Sequence, residues 1–135
     1  MSYKITDIEG IGPAYAEKLG TAGIKTTDHL LDQCATPAGR KSVAATTGVG
    51  ESTLLKWTNM ADLMRISGIG PQYSELLEGA GVDTVKELRN RNAENLAAAM
   101  AKVNDEKNLA RVSPPAATVA KWVDAAKKTD PRITY

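Results

Sequence analysis

At 135 residues, 42% hydrophobic but only 4% aromatic and without a single Phe, the chain must build its core from Ala, Leu, Ile, Val and Met. That suits closely approaching helices in one small body better than packed sheets. A net charge of +1, one Cys and one His exclude a broadly basic nucleic-acid arm, an intrachain disulfide and a cysteine-based zinc site.

Met1 to Asp7 lack the basic-then-apolar pattern of a signal peptide, and no run of about 18 apolar residues follows, so a cytoplasmic protein with no membrane partner is expected. The first structured element opens at Ile8-Glu9-Gly10-Ile11-Gly12-Pro13. Two glycines around one apolar residue predict a tight turn, with Ile11 plugged into the core and the glycines in conformations closed to other residues. Pro13 then suits the first position of a helix, where its missing N–H costs nothing. Ala22-Gly23 ends that helix with a left-handed cap. Thr26 and Thr36 are N-cap candidates for two further helices, with His29 and Cys34 between them. Gly48-Val49-Gly50 is a second tight turn, after which Leu54, Trp57, Ala61 and Met64 recur at helical spacing.

The pattern then begins again. Ile66 to Arg89 matches Ile8 to Leu31 at a constant offset of 58, with 12 of 24 positions identical, including Gly68-Ile69-Gly70-Pro71 against Gly10-Ile11-Gly12-Pro13. Thr84 with Glu87 forms a possible capping box. Lys121-Trp122 corresponds to Lys56-Trp57 at an offset of 65, which puts about seven extra residues into the second half, at Asn104 to Arg111. Ser113 is the N-cap candidate for a last helix on which Ala116, Val119, Val123 and Ala126 share a face. No alternating strand pattern occurs. The expected fold is all-α, with units at 1–64 and 65–135. No Ser/Gly linker separates them, so they should pack as one compact body.

Gly-apolar-Gly followed four residues on by a small residue, here Ala16 and Ser74, resembles the helix-hairpin-helix motif. The stretches AGIKTT and AGVDT resemble the start of a second helix in such domains, and in the C-terminal domain of the bacterial RNA polymerase alpha subunit. The duplication resembles a small group of bacterial proteins with repeated hairpins. The resemblance implies two tandem helix-hairpin-helix units, of the kind whose paired hairpins grip phosphates across the minor groove without reading sequence. Two departures stand out. Leu54 fills the small position of the Gly48–Gly50 hairpin, and the fourth hairpin reads Ser113-Pro114-Pro115, with two residues that lack an N–H.

A turn of this kind leaves backbone N–H groups free at the start of the following helix, a ready anion site. The candidate nucleic-acid-binding residues are therefore Gly10, Ile11, Gly12 and Ala14 with Lys18, and Gly48, Val49 and Gly50 with Lys56, the amide of Glu51 assisting. Gly68 and Gly70 form a weaker counterpart, where Leu76 replaces the lysine between Glu75 and Glu78. For each turn, fold maintenance alone is the competing reading. Trp57 and Trp122 are expected in the core, Tyr15 and Tyr73 to pack with a wet hydroxyl rather than stack on a ribose, and Cys34 to be a small buried hydrophobe. His29, opposite Glu87 in the repeat, should lie on an exposed face. No nucleophile, base, phosphate loop or metal-ligand cluster is evident, so neither an enzyme nor a cofactor or small-molecule substrate is expected. The leading function is sequence-independent binding of duplex DNA backbone. The alternative is a protein-interaction or scaffolding module that kept the architecture and lost the phosphate grip, favoured by the near-neutral charge and by Glu9 and Glu51 beside the turns.

Overall fold

A computed structural model describes residues 2–135. A 3-10 turn at Ile5–Asp7 leads into α1 (Pro13–Gly20), α2 (Thr27–Cys34), α3 (Pro37–Thr47), α4 (Glu51–Leu63), α5 (Pro71–Gly79), α6 (Val85–Leu88), α7 (Ala93–Lys107) and α8 (Ala116–Lys127). Among the described residues there is no strand, only an isolated bridge between Lys4 and Thr26.

Local chemistry starts and stops these helices largely where the sequence places the signals. Pro13, Pro37 and Pro71 occupy first turns. The hydroxyls of Thr26, Thr36 and Thr84 accept from the amides of His29, Gly39 and Glu87, and Asn92 does the same for Asn95. Gly23 and Gly81 take φ of +78° and +93° as helix-ending residues. The capping box is displaced by one residue: the Glu87 carboxylate accepts from the amide of Asp83 rather than of Thr84. His29 Nδ1 takes the amide of Lys25 in the same way, so the lone histidine has a structural task at its exposed site. Ser113 does not cap α8. Pro115 is the residue before that helix, and the Ser113 hydroxyl instead accepts from the Asn104 side chain. The extra length of the second half lies in α7, 15 residues against 11 for α3, and in the connection Asn108 to Pro115.

The buried apolar residues fall into two clusters. One joins Ile8, Ile11, Leu19, Leu30, Leu31, Leu54 and Trp57, and the other Ile66, Ile69, Leu77, Leu88, Val119 and Trp122, with their neighbours. They meet at the end of α4, where Met64 belongs to the first cluster and Leu63 to the second. A polar link crosses that seam. The buried Asp62 carboxylate, ion-paired to Arg65, accepts from the Val85 amide at 2.9 Å, tying the end of α4 to the start of α6. After α8 the chain crosses back, and Ile133 enters the first cluster.

Candidate functional site

Among the described residues, seven of the eight helices begin on one of two kinds of residue. Helices α2, α3, α6 and α7 close their own first amides with a Thr or Asn side chain, whereas α1, α4 and α5 begin on Gly12, Gly50 and Gly70, which have no side chain to do so. Helix α8, beginning after Pro115, is also without a side-chain cap. An N-terminus left open in this way directs unpaired N–H groups and the positive end of the helix dipole outward.

All three glycine corners share one construction. The central Ile11, Val49 and Ile69 are buried, and the preceding Gly10, Gly48 and Gly68 have φ of +93°, +77° and +95°, values that disfavour any residue with a Cβ. In the two Gly-Ile-Gly-Pro corners an indole lies directly beneath. A Cβ on Gly10 would stand 3.3 Å from Trp57 Nε1, and one on Gly68 3.0 Å from Trp122 Nε1. The tyrosine one turn on packs against the same indole: Tyr15 on Trp57 with centroids 5.1 Å apart at 71°, and Tyr73 on Trp122 at 5.2 Å and 53°. Both tryptophans are therefore core residues, as their recurrence suggests. Trp57 belongs to α4, six residues beyond Glu51, so the first corner packs on the same helix whose open start forms the other.

The surroundings differ between corners. At α1, Gly12, Pro13, Ala14 and Tyr15 are exposed, and Lys18 Nζ stands 5.5 Å over the Tyr15 ring, a cation–π contact on an exposed face. At α4, Gly50, Glu51 and Ser52 are exposed. Lys56 does not lean back toward that corner. It pairs instead with Glu78 of α5 at 3.8 Å, because Glu9, Glu75 and Glu78 gather on its other side around a cavity of about 180 Å³ also lined by Lys107 and Leu109. Burial, then the facing Glu9 and neighbouring Glu78, raise the Glu75 carboxyl above its ordinary range, with Lys56 opposing. The Glu9 side chain is thus engaged at the seam. At α5 the corner is hemmed in: Gly70 lies within 3.8 Å of the Tyr3 hydroxyl by its notional Cβ, and Thr6 and Asp7 share a cleft with Gly70, Pro71 and Tyr73. Asp7 sets a carboxylate near that corner, which opposes an anion there.

Cys34 is buried, and burial pushes its thiol up to about 11, so it is inert in the closed fold. Among the described residues no three His, Cys, Asp or Glu side chains group as metal ligands. No described helix is long and apolar enough to cross a membrane. Three structural residues escape a reading of local patterns: Gly39, the buried Arg40 and Asp62. None carries a periodic or capping signal.

Fold and corners together define an all-α protein of two repeated four-helix halves, with open, glycine-started helices in each. The chain belongs to the family described as a domain of unknown function (DUF4332), which matches residues 9–129, from the first corner to just beyond α8. No curated protein and no solved structure matches it.

Proposed function

We propose that each half is a tandem helix-hairpin-helix unit, and that the first half binds the phosphate backbone of duplex nucleic acid without reading sequence. The open starts of α1 and α4 supply the donors: the amides of Gly12 and Ala14 at one corner, Gly50 and Glu51 at the other. Lys18 adds charge at the first. Gly10 and Gly48 hold the corners, and Ile11 and Val49 anchor them in the core. The observation that carries this reading is the sorting of helix starts, closed by Thr or Asn at four places and left to glycine and solvent at α1 and α4. Gly68 and Gly70 build the corresponding corner of the second half, but the adjoining Asp7 makes it the poorer anion site.

A site of few phosphate contacts has modest affinity and a shallow salt dependence, losing about one unit of log K per log unit of salt for each phosphate neutralised. Titration of a duplex at about 50 and 200 mM salt measures this. Lys18→Glu is expected to weaken binding at the lower salt and to reduce the slope by about one, with thermal stability unchanged because Lys18 is exposed. A slope and affinity identical to the unaltered protein remove Lys18 from the interface.

The second reading, a protein-interaction module, draws on the Lys56–Glu78 pairing and the carboxylates gathered around it. It becomes the better account if the unaltered protein fails to bind duplex at the lower salt.

A further inference from the structure

The segment after α8 has a role that neither the corners nor the repeat explains. It leaves the second half and crosses onto the first, outside any helix. Each of its last four residues makes a different kind of contact there. Arg132 pairs with Asp32 of α2 at 2.8 Å, and Ile133 is buried in the first cluster. The Thr134 amide donates to the Ala35 carbonyl at 2.8 Å, while its own carbonyl accepts from Arg40 Nη2 at 2.8 Å. The Tyr135 hydroxyl reaches the Asn59 side chain at 3.4 Å.

Arg40 is the centre of this seat. Its guanidinium is buried, with no carboxylate partner among the ion pairs of the described residues, and its charge is met by carbonyls alone: Cys34 at 3.0 Å, Ala35 at 3.2 Å and Thr134. Two of those carbonyls are at the end of α2, where a cation is favoured by the helix dipole. The third belongs to the crossing segment. Cys34, the last residue of α2, lies in the same apolar cluster as Ile133.

We infer that Arg132–Tyr135 is a hinged strap, seated on a built groove between α2, α3 and α4, whose release uncovers Arg40 and opens the surroundings of Cys34 while both helical halves stay folded. Three features make the strap separable from the halves. It contributes one buried apolar side chain, against the larger cluster it joins. It forms no helix or strand. Pro131 precedes it, and Arg65 and Arg89 hold the carbonyls of Asp130 and Thr129, so the pivot falls just before Arg132. Segments with few buried contacts open below the global unfolding free energy. The groove is at the α2–α3 junction, at the end of α3 away from Gly48, so release leaves the proposed phosphate-binding corners in place.

The lone thiol reports on the strap directly. In the full chain, Cys34 should react slowly with a disulfide reagent such as dithiobis(nitrobenzoate). Ile133→Asp should speed that reaction by about tenfold or more with helix content retained, as expected for local rather than global opening. A peptide spanning Thr129–Tyr135, added in excess, should slow it again. Should Ile133→Asp prevent folding, the surface pair decides the matter: Asp32→Arg should raise the rate by about threefold, in line with the small worth of an exposed ion pair, and adding Arg132→Asp should restore it. A thiol rate unmoved by the loosened strap, or a double variant as fast as the single one, overturns the inference.

Discussion

A chain carrying Gly12→Asp and Gly50→Asp together should lose duplex binding while unfolding at the same temperature as the unaltered protein or slightly above it. Both glycines sit at N-caps with extended backbones, φ −88° and −63°, and a Cβ added at either meets nothing within 4 Å. Asp is among the favoured N-cap residues, and its carboxylate would bond the amides that glycine leaves free, for a gain of a few tenths of a kcal/mol at each helix. The same carboxylate takes the place of a phosphate and repels it. Charge-assisted hydrogen bonds are worth about 1.5–3 kcal/mol each, so losing one such contact at each corner lowers affinity by about a hundredfold or more. Gly12→Ala with Gly50→Ala is the matched control. It keeps the amides free and should retain most of the binding at a slight cost in stability. The comparison separates phosphate capture from fold maintenance, which a substitution at Gly10 or Gly48 cannot do, since both have positive φ. Undiminished affinity in the Asp pair would show that these helix starts do not hold the duplex.

The largest loss of stability is expected at a residue with no part in any corner. Gly39, in the first turn of α3, packs against the end of α2 so closely that a Cβ would lie 2.1 Å from the Gln33 carbonyl oxygen and 3.1 Å from its carbon. These are backbone atoms and cannot swing aside as a side chain can. Gly39→Ala therefore has to part α2 from α3, disturbing the Thr36 cap and the Arg40 guanidinium one residue further on. Overpacking usually costs about 1–3 kcal/mol, and a backbone clash of this kind belongs at the upper end or beyond. A fall in Tm of about 10 °C by circular dichroism is expected. Gly20→Ala, in α1 with open space around its Cβ, is the comparison and should be neutral or mildly stabilising. A Gly39→Ala protein melting within about 2 °C of the original would mean that the junction adjusts more readily than its geometry allows.

How much of this was legible in the sequence follows from whether the relevant force acts over a few residues or across the fold. The Gly-x-Gly corners, the prolines that open helices and the Thr caps depend on φ, on a missing N–H and on a hydroxyl three residues from its donor. All of these lie within one turn and leave a pattern. The duplication made the tryptophans legible as core, since Trp57 and Trp122 recur with the corners they support. Ser113 misled because a hydroxyl before a helical run resembles a cap, while Pro114 and Pro115 push the helix start two residues on. Lys56 shows a different limit of a local reading. Its spacing from Gly50 suits a phosphate, but Glu78, 22 residues away in sequence and on another helix, is the charge it meets. The same holds for Glu9 against Glu75, for Asp62 bound to the Val85 amide, and for Arg40 beneath Thr134. Gly39 was silent because nothing in its neighbours announces a carbonyl packed against its α-carbon. Arg132 likewise meets Asp32, 100 residues away in sequence.

The two halves also show how one local design yields unequal sites. Identical Gly-Ile-Gly-Pro segments build nearly identical corners, down to the indole under the first glycine and the tyrosine beside it. What distinguishes them comes from elsewhere in the chain. Exposed residues and a free lysine flank the first, while Tyr3 and Asp7 overhang the second.

Amide-resolved NMR of the ¹⁵N-labelled protein, with a short duplex added stepwise at low salt, addresses the proposal at its root. The backbone N–H signals of Gly12, Ala14, Gly50 and Glu51 should move together and saturate, while those of His29 and Gly39, already bonded to Thr26 and Thr36, stay still. Motionless signals at the first four, or movement confined to the second half, would contradict it.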